Sequence, residues 1–200
     1  MLEIKLDQII SATRIVYAEM QPTPQYCWPL LCENLGTEVW VKHENQTPIG
    51  SFKLRGGLVY FSHLAESSET PKSVVSATKG NHGQSVGFAA RRYGIPAIIV
   101  VPYGNSTEKN NAMRSLGVKL IEHCDDFQSA REFAIKMAHE NSLKMIPSFD
   151  PLLVTGVATY SLELLKAVKD LDIVYVPIGL GSGICGMLAV RDALKLELRS

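Results

Sequence analysis

The chain of 200 residues reads as an α/β protein with mostly parallel strands. After about residue 72, short β-branched runs alternate with stretches of helical period. Parallel strands require that alternation, because each crossover must carry the chain back over the sheet. The stretch "VYVPIGLGSGICG" also passes from an apolar strand through a glycine-rich turn straight into a helix. With 46% hydrophobic and 20% charged residues, the chain can bury one sizeable core or two small ones.

In "MLEIKLDQIISATRIVYAEM" the residues Leu2, Leu6, Ile9, Thr13 and Val16 fall on one helical face, and charges interrupt the segment throughout. It predicts an amphipathic helix and lacks the apolar core of a signal peptide. "QPTPQYCWPL" is a proline-punctuated loop, "TEVWVKHE" a strand, and "IGSFKLRGG" the start of a helix. "KSVVSA" predicts a strand, "NHGQSVGFAARRYG" a helix stopped by Gly94, "PAIIVV" a strand and "STEKNNAMRSLG" a helix. "VKLIE" and a helix from Asp126 to about Asn141 form the next unit. A helix from about Thr155 to Lys169, the strand "DIVYVPI" and a helix from about Ile184 complete the pattern.

Twenty basic residues balance twenty acidic ones, so no global field favours nucleic acid, a membrane surface or a polyanion. No run approaches the roughly 20 apolar residues that span a bilayer. A small-molecule site in a cytoplasmic protein is the expectation. Cys27, Cys32, Cys124 and Cys185 form no CxxC pair and have no histidine at finger spacing. They predict reduced, mostly buried thiols and no metal site.

Three features carry chemistry. In the glycine-rich turn, backbone N–H groups can approach an anion, and the helix start adds a favourable dipole. Gly181, Gly183 and Gly186 formally match GxGxxG, so a dinucleotide loop, a phosphate cup and a ligand-free tight turn all remain open. "SATKGNHGQ" is a second strand-to-helix loop, whose N–H groups suit a carboxylate and whose Asn81 offers one hydrogen bond at fixed distance. His82 taken alone reads as a packing residue. Lys53 taken alone reads as a solvated helix lysine, whereas a desolvated lysine amine can add to a carbonyl. A phosphate-like cup, a carboxylate-like loop and an amine together suit a phosphorylated aldehyde cofactor.

The stretches "TP" (23–24), "KHENQTPIGSFKLRGG", "ATKGNHGQSVGFAARRYGIPAIIVVP", "NSTEKNNAMRSLG", "FDPLLVTGVATYSLELL" and "VPIGLGSG" resemble, in order, the fold-type II pyridoxal-phosphate enzymes and their serine/threonine dehydratase branch. The resemblance implies a tryptophan synthase β-like fold of two open, twisted, mostly parallel sheets. A small domain of residues 72–147 would be inserted in a large cofactor-binding domain of residues 1–71 and 148–200, incomplete at its C-terminus. It implies pyridoxal 5'-phosphate as cofactor, joined as a Schiff base to Lys53, with Phe52 beside the ring and Asn81 at its phenolic oxygen. Gly179, Leu180, Gly181, Ser182 and Gly183 would hold the phosphate, and Thr78, Lys79, Gly80 and His82 the substrate carboxylate. A homodimer or higher oligomer is expected where the full-length fold is present.

The implied reaction is β-elimination from L-threonine or L-serine, giving a 2-oxo acid and ammonia. The freed Lys53 amine would take the Cα proton while the cofactor accepts the resulting charge. Leu180 and Ser182 interrupt a loop that is glycine-rich throughout in relatives. Lys79 stands where racemising relatives carry a serine base and diaminopropionate ammonia-lyases an acid. A lysine there would add a charge contact to the substrate carboxylate or to an acidic side chain. Two other readings are a non-catalytic paralogue or fragment that binds a partner, and a nicotinamide-dependent protein, which leaves Lys53 and GNHGQ without a role.

Overall fold

The structure, a computed structural model, describes residues 3–198. Leu2, the first position of the predicted amphipathic face, lies outside them. Helix α1 (Leu6–Tyr17) buries Ile9, Ala12 and Val16. The stretch expected to be a loop contains strand β1 (Gln25–Cys27) and opens helix α2 (Pro29–Leu35). Strand β1 pairs antiparallel with β2 (Trp40–Lys42), in the register Gln25↔Lys42 and Cys27↔Trp40. Pairing made Gln25–Cys27 a strand where its flanking prolines had pointed to a loop, and Pro29 takes the first helical position, which needs no N–H. Helix α3 (Lys53–Glu66) follows.

Strands β3 (Val74–Ala77), β4 (Ala97–Val101), β5 (Lys119–Glu122) and β6 (Lys144–Met145) form one parallel sheet in the order β5-β4-β3-β6. Helices α4 (Asn81–Arg92), α5 (Thr107–Ser115) and α6 (Phe127–Glu140) are its crossovers. Alternation along the strands divides the core between two faces. Val74, Ile99 and Val101 pack with Val86, Ala89 and Met113 on one side, while Val75, Ala77 and Val100 pack with Ala130 and Ala134 on the other. The helix stops are legible in the chain: Gly94, at φ +68, ends α4 in a left-handed turn.

Helix α7 (Pro151–Ala167) begins four residues earlier than its periodicity indicates. Asp150 caps it, accepting from the Leu152 N–H at 2.8 Å, and Pro151 occupies the first turn. Helix α8 (Ser182–Ala193) packs on α7, and both join α1 around Ile9, Val154, Val157, Met187 and Val190. Segment 172–178, expected to be a strand, makes a single β-bridge at Ile173 and is a strand of neither sheet among the described residues. Its apolar period is strand-like, but a strand exists only with a ladder partner, and Tyr175 stands 91% exposed. Among the described residues no helix is long and apolar enough to cross a membrane. The four cysteines are free and partly exposed, a correction to their expected burial.

Candidate active site

Three helix starts define the site. Lys53 is the first residue of α3, Asn81 the first of α4 and Ser182 the first of α8. Each start leaves backbone N–H groups without intrahelical partners and carries the positive end of a helix dipole.

Glycines set how closely these helices approach. A Cβ at Gly57 would lie 2.3 Å from Ser85 Oγ on α4, and one at Gly56 would lie 2.6 Å from the Leu153 carbonyl on α7. A Cβ at Gly156 would come within 2.3 Å of the Arg55 carbonyl. The two glycines after "SFKLR" therefore wedge α3 between α4 and α7. Ser85 Oγ donates to the Lys53 carbonyl at 2.6 Å, fixing the start of α3 against α4.

The Lys53 amine is partly buried, 5.5 Å from the centroid of the Phe52 ring. Burial pushes its pKa below that of a free lysine, which raises the neutral fraction that attacks carbonyls. His82 lies beside it. Burial first, and the Lys53 charge second, lower the His82 pKa to about 4, so the ring is neutral at pH 7. Its Nε2 is buried and has no hydrogen-bond partner. An orphaned ring nitrogen in such a place is costly unless a ligand meets it.

On the other side, the Phe52 ring packs 5.7 Å from that of Tyr160. A Cβ at Gly183 would lie 3.5 Å from Phe52 Cζ and 3.2 Å from Val176 Cγ1. The glycine-rich loop thus rests on the residue preceding Lys53. Gly181 caps α8 at φ +98, a conformation that favours glycine. Ser182 is buried, while Gly179 and Leu180 are exposed.

The third group follows the carboxyl end of β3. Thr78 is buried and its Oγ1 accepts from the Gly80 N–H at 3.2 Å, while Lys79 and Asn81 are exposed. The Asp126 carboxyl is held below the usual range by the Ser129 amide and hydroxyl and further by the Lys79 cation. Lys109, which sequence reasoning missed, reaches over the same loop: a Cβ at Gly80 would lie 3.1 Å from its Cδ and 3.7 Å from its Nζ. Lys53 is thereby the meeting point, linked through Phe52 to Gly183 and through its charge to His82. A separate hollow of about 720 Å³ between the end of α3 and β6 contains none of these residues.

Two residues beyond Lys53, a buried charge network holds α3 from behind. The fully buried Arg55 donates to Glu44 from Nε at 2.8 Å and Nη2 at 2.9 Å. It donates to Glu163 from Nη1 at 2.5 Å and Nη2 at 3.0 Å, and to Thr159 Oγ1 at 3.0 Å. Lys42 Nζ and Tyr17 Oη also donate to Glu163, at 2.6 and 2.9 Å. Burial opposes the Glu163 charge, yet Arg55 and Lys42 hold its pKa below the usual carboxylate value. Two cations face two anions, so the cluster is neutral in sum. The signal available in the sequence was Glu163 itself, the only acid in the apolar helix α7.

An α/β scaffold that gathers a desolvated lysine, an unpartnered neutral imidazole and a glycine-rich helix start is built for a small carbonyl ligand bearing an anionic group. The chain belongs to the family described as "Pyridoxal-phosphate dependent enzyme", which it matches over residues 16–198. The cofactor of that family is pyridoxal phosphate. The chain is 34% identical over 186 residues to the biosynthetic L-threonine dehydratase of Haemophilus influenzae, covering 92% of this chain and 36% of that one. It is 33% identical over 197 residues to the L-threonine ammonia-lyase of Thermotoga maritima, covering 98% and 49%. A solved pyridoxal 5'-phosphate-dependent aspartate racemase superposes with a TM-score of 0.92 at 27% identity, covering 99% of this chain and 62% of the other. The chain thus spans about a third to a half of the length of these curated relatives.

Proposed function

We propose that this chain carries the reactive lysine and the ligand loops of an enzyme that eliminates the β-hydroxyl of L-threonine or L-serine, releasing a 2-oxo acid and ammonia. The observation that carries the reading is the juxtaposition at Lys53: a desolvated amine, with a phosphate-shaped helix start on one side and an orphaned buried imidazole on the other. Residues 72–147, which contain all four parallel strands, would act as the small domain, and the two flanks as the cofactor-binding domain.

The residues present fit pyridoxal phosphate. Backbone N–H groups from Gly179 to Gly183 suit its phosphate, with the hydroxyl of Ser182 as a further donor. Lys53 suits its aldehyde, Phe52 the edge of its ring and Asn81 its phenolic oxygen. When bound, the cofactor supplies an electron sink for negative charge at Cα. Lys53 accepts the Cα proton at Nζ, a role its depressed pKa serves. Thr78, Gly80 and the ring of His82 orient the carboxylate, and the cations of Lys79 and Lys109 draw it to the loop. Neutral His82 adds a donor without a second full charge next to Lys53.

Curated relatives named threonine dehydratase or threonine ammonia-lyase favour elimination, and similarity to racemases of known structure keeps proton return at Cα as the competing outcome. An exposed lysine stands at position 79 in place of the serine base that the resemblance implies for racemising relatives, which favours elimination over proton return there. Incubation of the pyridoxal-phosphate-loaded chain with L-threonine and L-serine should yield 2-oxobutyrate and pyruvate, and Lys53→Ala should abolish both. Formation of D-serine without 2-oxo acid would overturn the elimination reading. A second reading, a chain that takes up cofactor without turnover and serves a partner, draws on the exposed apolar residues Ile173, Tyr175 and Ile178. Cofactor uptake with neither product would favour it.

A further inference from the structure

Away from the candidate site, two of the four cysteines lie against each other. Cys27 ends β1, Cys32 lies at the first turn of α2, and their Sγ atoms are 3.4 Å apart. Both are partly exposed and neither is in a disulfide. Their surroundings differ. The Val39 N–H donates to Cys32 Sγ at 3.2 Å. The hydrogen bond with Cys32, followed by burial, pushes the Cys27 thiol up. Either sulfur can be the donor in their contact.

We propose that Cys27 and Cys32 form a reversible redox site whose reactant is a low-molecular-weight disulfide. One of the two cysteines, as its thiolate, attacks one sulfur of the small disulfide, forming a mixed disulfide and expelling one thiolate, which takes up a proton. The other cysteine then gives up its proton, its sulfur attacks that of the first, and the second small thiol leaves. The protein loses two hydrogens and two electrons, and the small disulfide becomes two thiols. Closing the 3.4 Å contact to a bond of about 2.05 Å needs a movement of only ~1.4 Å. The bond would tie α2 to β1, the strand whose Gln25 Oε1 accepts from Lys42 at 3.1 Å, so the site lies on the hairpin that feeds the buried charge network.

The test treats the 200-residue chain with oxidised glutathione, alkylates it under denaturing conditions and maps the peptides by mass spectrometry beside a non-reducing gel. The expected result is loss of two alkylatable thiols through a Cys27–Cys32 disulfide within one chain, with Cys124 and Cys185 alkylated and dithiothreitol restoring all four. Cys27→Ser should trap glutathione on Cys32, and Cys32→Ser should trap it on Cys27. Four alkylated cysteines, a covalent dimer, or glutathione on Cys124 or Cys185 ahead of the pair would overturn the proposal.

Discussion

Lys53 and His82 share one desolvated environment, and each leaves a separate signature. Folded His82 titrates near pH 4, against about 6.5 for a free histidine. Between those values the unfolded chain binds more protons, so this contribution is fully present above pH 6.5 and is lost as pH falls towards 4. The total is up to ~3 kcal/mol. Melting temperatures measured from pH 4 to 7 should fall less steeply on acidification in His82→Asn than in the parent chain, and equal slopes would exclude His82 as the group. Lys53→Met, which removes the second cause of the shift, should raise the folded His82 pKa and so reduce the stability lost on acidification. Glu163→Gln should destabilise by about 3–5 kcal/mol, because Arg55 and Lys42 would then be buried against Glu44 alone. Urea unfolding measures that loss, and a change within error would mean the network contributes nothing net. Lys53 was legible in the sequence because a short local pattern surrounds it. Arg55 and Glu163 were not, since 108 residues separate two charges that, read locally, look like ordinary solvated ones.

Among the elements, contact at helix crossings and freedom at helix ends make different demands on glycine. Gly156 sits where a Cβ would meet the Arg55 carbonyl at 2.3 Å and Gly56 Cα at 2.8 Å, backbone atoms two and three residues from Lys53. Gly156→Ala should therefore cost on the order of 3 kcal/mol. Gly94 has open space around it and a φ of +68, so Gly94→Ala should cost only ~1 kcal/mol, through backbone strain. Denaturant midpoints give the order, and a larger loss at Gly94 would contradict the close crossing of α3 and α7. The alternation of strands and helices from β3 to α6 was readable from period and glycine placement, since each element there pairs with its neighbour in sequence or the next strand along. Segment 172–178 shows where such reading ends. Period specifies which residues share a face, while ladder partners are supplied by other parts of a fold. The start of α7 was readable but missed: Asp150 and Pro151 are a cap and a first-turn proline, and periodicity alone passed over them.

At the scale of the whole molecule, one parallel sheet, flanked by α4 and α5 on one face and α6 on the other, presents the Thr78–Gly80 loop at the end of its central strand, while α3, α7 and α8 bring Lys53 and the glycine-rich loop to it. Position at strand ends and helix starts is what such folds use to hold small anions. A cofactor bridging these parts should stabilise them together, by about 2.7 kcal/mol at a hundredfold excess over its dissociation constant. Thermal melting with and without pyridoxal phosphate checks this, with Lys53→Ala expected to lose most of the gain. The most direct measurement is borohydride reduction of the chain after incubation with pyridoxal phosphate, followed by peptide mapping. Label confined to Lys53 is the expected result; label spread over surface lysines such as Lys79 and Lys109, or none at all, would contradict the assignment of Lys53 as the reactive amine.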